Sequence, residues 1–129
     1  MATLSYGTTA IALDDQLHWT DEYAWRPVEQ RQQYTLTGAL VVESALKQAG
    51  RPVTLAGDRS RAWLPRSTVE QLRAAELLDG QVFTLVYRGV SRTVMFDHAA
   101  GGLSAEPIRP FQDPTDDDDY AVTLRFFEV

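Results

Sequence analysis

Gln81-Val82-Phe83-Thr84-Leu85-Val86-Tyr87-Arg88-Gly89-Val90-Ser91-Arg92-Thr93-Val94-Met95-Phe96 carries the clearest structural signal in the chain. Two runs rich in β-branched and aromatic residues, 82–87 and 90–96, flank the short turn Arg88-Gly89, the pattern of a β-hairpin. Downstream, residues 120–129 put Tyr120, Val122, Leu124 and Phe126 on one face and polar Thr123 and Arg125 on the other, as a half-buried strand does. A strand running to the last residue implies a C-terminus held in a sheet.

One helix is signalled between these strands and the middle of the chain, at about residues 67–79. Ser67 is placed as its N-cap with Glu70 three residues on, a capping box, and Val69, Leu72, Ala75 and Leu77-Leu78 follow at helical spacing until Gly80. Residues 34–49 allow two readings, because Tyr34 to Val42 alternates while Glu43 to Ala49 favours a helix. The strand is preferred, since Ala49-Gly50-Arg51-Pro52 then turns it into Val53-Thr54-Leu55-Ala56-Gly57 as a second hairpin. The expectation is a mainly β (α+β) chain, an antiparallel β-sandwich or barrel of six or seven strands with one flanking helix. Residues 1–129 read as a single domain with an N-terminal arm at about 1–10 and an acidic loop at about 112–119.

Composition narrows the chemistry. With no cysteine in 129 residues, disulfides, thiolate metal sites and cysteine nucleophiles are excluded. Acidic residues outnumber basic ones 18 to 12, for a net charge of -6, which opposes attraction to nucleic acid or anionic lipid. No run approaches the ~20 apolar residues that cross a bilayer, and no basic start precedes an apolar stretch, so a soluble chain is expected.

Catalytic and metal patterns fail one by one. Counting from Asp113, Asp118 falls where a calcium loop needs its glycine and Leu124 where it needs its closing acid. His18 and His98 have no third ligand or triad partner at a recognisable spacing, and no serine lies in a Gly-x-Ser-x-Gly elbow. Gly101-Gly102 has no dinucleotide or phosphate pattern around it. Asp21, Glu22, Glu43 and Glu106 offer carboxylates for a hydrolase, but nothing selects a pair. The expectation is a non-enzyme without cofactor or metal; a hydrolase with an unrecognised carboxylate pair is the outside alternative.

His18-Trp19-Thr20-Asp21-Glu22-Tyr23-Ala24-Trp25 is the most unusual segment. Trp19, Tyr23 and Trp25 either pack on the sheet as core, or form with Arg26 a rigid aromatic surface of the kind that dominates protein interfaces. A small carbohydrate- or protein-binding β module is the alternative function this segment suggests. The candidate protein-interface residues are therefore Trp19, Tyr23, Trp25 and Arg26, together with Asp116, Asp117, Asp118 and Asp119 of the acidic loop.

The strings Leu17-His18-Trp19-Thr20-Asp21-Glu22, Trp25-Arg26-Pro27-Val28-Glu29-Gln30, Thr35-Leu36-Thr37-Gly38-Ala39-Leu40, Gly50-Arg51-Pro52-Val53-Thr54-Leu55 and the ending 120–129, taken together, resemble a family of small structural proteins. These are encoded in the tail-gene clusters of tailed bacteriophages and prophages, among tail-tip and baseplate components. The resemblance implies a sandwich or barrel with one helix, similar to tail-tube and distal-tail proteins, whose subunits form rings around the tail channel. It also implies no catalytic residues, partners that are other copies of the chain and neighbouring tail proteins, and a place in the virion tail, with the host cytoplasm during assembly. Neither sequence-specific nucleic acid nor membrane is an implied partner. Residues 1–10 and 113–119, least able to form a core, are the expected arms that order on assembly. An acidic loop facing a channel would repel DNA.

Overall fold

A computed structural model describes residues 2–14, 16–48, 50–110 and 112–129. In chain order its elements are β1 (Ala2–Tyr6), β2 (Thr9–Leu13), β3 (His18–Trp19), β4 (Val28–Tyr34), β5 (Leu40–Leu46), β6 (Pro52–Ala56), β7 (Trp63–Pro65), α1 (Arg66–Glu76), β8 (Phe83–Tyr87), β9 (Val90–Phe96), β10 (Leu103–Pro107) and β11 (Asp119–Glu128). The chain is mainly antiparallel β and sandwich-like, with one α-helix. The expected hairpin is β8–β9, with Phe83 opposite Val94 and Tyr87 opposite Val90 around the Arg88-Gly89 turn.

β11 organises the sheet. Its first half pairs with β7 on one side and β10 on the other; its second half pairs with β6 and β9. The nine-stranded sheet follows the order β2-β1-β8-β9-β11-β6-β3, with β7 and β10 attached to β11. Alternation turns Tyr120, Val122, Leu124 and Phe126 inward, as the sequence pattern requires. They meet Leu4, Ile11, Leu55, Leu85 and Val94 in a single apolar core, where Phe83 and Phe96 stand edge to face at 5.2 Å. Val69, Leu72 and Ala75 close the core from α1. Each large apolar side chain so buried contributes ~1.5–3 kcal/mol.

Five expectations need correction. Ser67 does not cap the helix: Pro65 occupies the N-cap and no side chain bonds there. The first-turn N–H groups of Arg66 and Ser67 instead donate to the backbone carbonyls of Asp118 at 2.8 Å and Asp116 at 3.2 Å, so the acidic loop does the capping. The helix ends at Glu76, leaving Leu77 and Leu78 exposed beyond it.

Residues 1–10 are not an arm. Ala2 and Leu4 are 2% and 0% exposed, because β1 lies between β2 and β8 and alternates its apolar side chains into the core. Met1 lies outside the described residues.

The middle of the chain is extended, as preferred, but β5 pairs with β4 and not with β6. The reversal is at residues 35–38, where the Thr35 N–H donates to the Ala39 carbonyl at 2.8 Å and Gly38 takes φ +84°. The expected turn at 49–52 is therefore no hairpin turn; Ala49 lies outside the described residues, and β6 is held by β11 and β3.

The strand count is also higher than six or seven: eleven strands are found among the described residues, β4 with only two apolar residues in seven.

Candidate interaction surface

Among the described residues the β4–β5 hairpin pairs with no strand of the main sheet; its strands pair with each other, seven residues against seven from Val28↔Leu46 to Tyr34↔Leu40. Every residue of both strands is exposed. Directly opposed residues of an antiparallel pair share a face, and the face alternates along each strand. One face thus carries Val28, Tyr34, Leu40, Val42 and Leu46 with Gln30, Gln32 and Ser44; the other carries Glu29, Arg31, Gln33 and Glu43 with Val41 and Ala45. The five large apolar side chains of the first face are between 48% and 75% exposed, and Leu36 at the tip is fully so. The hairpin is an amphipathic ribbon whose apolar side has no cover among the described residues.

The foot of this arm is built by the unusual aromatic segment, which the structure splits. Trp19, in β3 opposite Leu55, is core at 2% exposure and stands edge to face with Tyr87 at 6.1 Å. Tyr23 is 86% exposed, Arg26 is exposed, and Trp25 is half-buried. Lys47, whose N–H donates to the Pro27 carbonyl at 2.7 Å, holds its ammonium 5.5 Å from the Trp25 ring centre. The Asp21 carboxylate accepts from the Thr54 N–H at 2.9 Å and its hydroxyl at 2.8 Å, tying the segment to β6.

Two guanidinium groups lie on the buried indole, Arg51 at 4.6 Å and Arg92 at 4.8 Å from the Trp19 ring centre. Arg51 donates to the Glu22 carbonyl at 2.8 Å. Glu22's carboxylate goes to Arg88 at 3.0 Å, a partner that together with Tyr87 holds the Arg88 guanidinium pKa above its ordinary value, Tyr87 contributing more. Among the described residues, Trp19 Nε1 and Arg51 Nε are buried without a hydrogen-bond partner.

The acidic residues sit at the other end of β11. Asp116, Asp117 and Asp119 are exposed, and Asp118 is half-buried with its carboxylate accepting from the Thr115 N–H at 2.8 Å. Asp117, Asp118 and Asp119 line a polar cleft with Trp63, Ile108 and Arg109. Nine residue steps separate Asp119 from Glu128, whose N–H donates to the Arg51 carbonyl, so the two charged ends lie ~30 Å apart along the strand. The candidate residues accordingly fall into two groups that the fold keeps apart.

The other candidate groups are also dispersed. Asp21 is held by Thr54, Glu22 by Arg88 and Glu106 by Arg59 at 2.6 Å, while Glu43 stands opposite Arg31 on the arm. His18 is in β3, and His98 follows β9 with its ring 6.3 Å from Phe96. Among the described residues no group of three or more metal-ligating side chains converges, and no helix is long and apolar enough to cross a membrane.

Sequence reasoning misses the arm because Glu29-Gln30-Arg31-Gln32-Gln33 holds no apolar residue and does not announce a strand. The usable signal is the turn-forming Thr35-Leu36-Thr37-Gly38 before the β-rich run Leu40-Val41-Val42. Compared with known proteins, the chain matches no family model, no curated protein and no solved structure.

Proposed function

We propose that this protein is a structural building block that associates with other copies of itself, a ring-forming tail-tip or baseplate component of a tailed bacteriophage linking the tail tube to distal parts. The observation that carries the assembly reading is the β4–β5 arm. A two-stranded ribbon standing alone is marginal in water, and an uncovered row of Val28, Tyr34, Leu40, Val42 and Leu46 is costly to leave wet. Both difficulties vanish if a neighbouring molecule covers the apolar face, which is the usual meaning of a contiguous exposed apolar patch. The place in a phage tail rests on the resemblance of the strings around Trp19, Trp25, Thr35, Arg51 and the C-terminus. Ring formation needs two different complementary surfaces on each subunit, and the arm supplies one of them.

The aromatic-module alternative has less to stand on, because Trp19 is buried in the core while Tyr23 is exposed, so the two do not share a surface. The reading is tested by sedimentation of the purified chain over a range of concentrations, with Val42→Glu as comparison, and by looking for the chain in virions of a host that carries its gene. Concentration-dependent association that Val42→Glu abolishes, with the chain present in virions, supports it. A chain that stays monomeric and is absent from virions overturns it.

A further inference from the structure

We infer that the arms of successive copies pair edge to edge, the outer edge of β5 in one copy running antiparallel to the outer edge of β4 in the next, in the register that sets Glu43 opposite Arg31 of the next copy. The inference rests on the assembly reading above and adds how the arms themselves meet, with the polarity of that contact.

Its first support is where the backbone of the arm points. At the foot the Lys47 N–H donates to the Pro27 carbonyl at 2.7 Å, and past the other end the Thr35 N–H donates to the Ala39 carbonyl at 2.8 Å. Hydrogen-bonded and non-hydrogen-bonded pairs alternate along an antiparallel ladder, so between these two bonds Glu29↔Ala45, Arg31↔Glu43 and Gln33↔Val41 turn their backbone groups inward. The N–H and C=O groups of the even-numbered residues, 28–34 on β4 and 40–46 on β5, therefore face outward on the two edges. No other strand takes them among the described residues. Exposed edges are commonly blunted by proline or a bulge, yet neither strand contains proline and the register runs unbroken over seven pairs.

Charge then selects which edges meet. The ionisable residues along the arm are Glu29 and Arg31 on β4 and Glu43 on β5. Two arms related by a twofold axis and fully overlapped place Glu43 against Glu43, or Arg31 against Arg31, and like charges directly opposed are destabilising. β5 on the β4 of the next copy, repeating the register used within the arm, places Glu43 opposite Arg31 in a non-hydrogen-bonded pair, where side chains come closest. A slip of two residues loses that pair, setting Glu43 against Glu29 in one direction and against Gln33 in the other.

The apolar face agrees with the same register. Leu40 comes to lie beside Tyr34 of the next copy, and Leu46 beside its Val28, all on one side. A lone two-stranded ribbon is marginal in water, whereas three or more strands sharing an apolar face are stable, so each arm gains from its neighbour what the body of its own chain does not give it. Because the two edges differ, the contact is heterologous and repeats, closing as a ring or running on as a filament.

The chain has no cysteine, which makes cross-linking clean. In the inferred register Val41 faces Gln33 of the next copy as a non-hydrogen-bonded pair with Cα atoms ~4.5 Å apart, within reach of a disulfide. Gln33→Cys and Val41→Cys, both at exposed positions, are purified separately, mixed and oxidised. About tenfold more disulfide-linked pair is expected in the mixture than in either variant alone. Glu43→Arg and Arg31→Glu are each expected to associate about fivefold more weakly than the parent, and an equal mixture of the two to recover the parent's affinity. Mixing restores opposite charges between copies but not within either arm, so a merely structural effect of the substitutions would not be repaired. If copies associate but neither mixture exceeds its single variants, the edge pairing is wrong and the assembly reading survives. If Val41→Cys links to Ala45→Cys instead, β5 meets β5 and the inferred polarity is overturned. If copies do not associate at any concentration, both fall.

Discussion

The backbone N–H of Arg66 donates to the carbonyl of Asp118 at 2.8 Å, across 52 residues of sequence, and so makes the acidic loop the cap of the only α-helix among the described residues. With that N–H and the Ser67 N–H at 3.2 Å from Asp116 already satisfied, the Ser67 hydroxyl has no capping role. Ser67→Ala is therefore expected to change stability by less than ~0.5 kcal/mol, where removal of a true serine cap costs ~1 kcal/mol. Urea denaturation of the two proteins decides between them, and a loss near the larger value would restore Ser67 as the cap.

Trp19 and Tyr23 separate the two fates of the aromatic segment. Trp19, at 2% exposure beneath two guanidinium groups, is expected to cost ~3–5 kcal/mol when replaced by alanine. Tyr23→Ala is expected to stay within ~0.5 kcal/mol of the parent, because its ring is in water. Thermal or urea unfolding checks both, and equal losses would contradict this division.

Gly57 follows β6 where the chain passes close to Ala62. A Cβ there would lie 2.7 Å from the Ala62 carbonyl oxygen and 3.4 Å from Leu17 Cδ2, so Gly57→Ala forces backbone apart. A loss of ~1–3 kcal/mol is expected, measurable as a lower urea midpoint at unchanged slope. An unchanged midpoint would show that β6 and the Ala62 turn have room to give.

Asp58 gives a pH-dependent term. Its Oδ1 accepts from the Ser60 hydroxyl at 2.6 Å, the Ser60 N–H at 2.8 Å and the Arg61 N–H at 3.0 Å, and these bonds, led by the hydroxyl, hold its carboxyl pKa below the ordinary aspartate value. A depressed carboxyl stabilises the fold above its unfolded pKa, and that contribution is lost as pH falls through the folded value. Carboxyl NMR titration is expected to place Asp58 in the folded chain below Asp58 in a peptide of residues 56–63, and Ser60→Ala is expected to narrow the gap. Coincident titrations would remove Asp58 from the acid response.

The parts of the fold legible in the sequence are those whose alternation faces a core. Phe83, Leu85, Val94 and Phe96, and the row from Tyr120 to Phe126, read as strands because each places apolar groups on one side only. β1 is hidden because Thr3 and Ser5 make its short alternation look like a polar tail. β4 is hidden because its apolar face is only Val28 and Tyr34, with glutamines between. The Ser67 cap is displaced by carbonyls about 50 residues away, a competition that local reading does not contain. The cluster of Arg51, Trp19 and Arg92 comes from the start of β6, from β3 and from β9, and only sheet register brings those together.

On the proposed assembly reading, another copy covers the apolar face of the β4–β5 arm. Sedimentation velocity of the parent and of Val42→Glu, at matched concentrations spanning two decades, tests it most directly. Glutamate at a position half exposed on the ribbon should leave unfolding within ~0.5 kcal/mol of the parent. The expected result is concentration-dependent higher-order species for the parent and a single monomer boundary for Val42→Glu throughout. A parent that sediments as a monomer at every concentration, or a Val42→Glu variant that associates as the parent does, would contradict it.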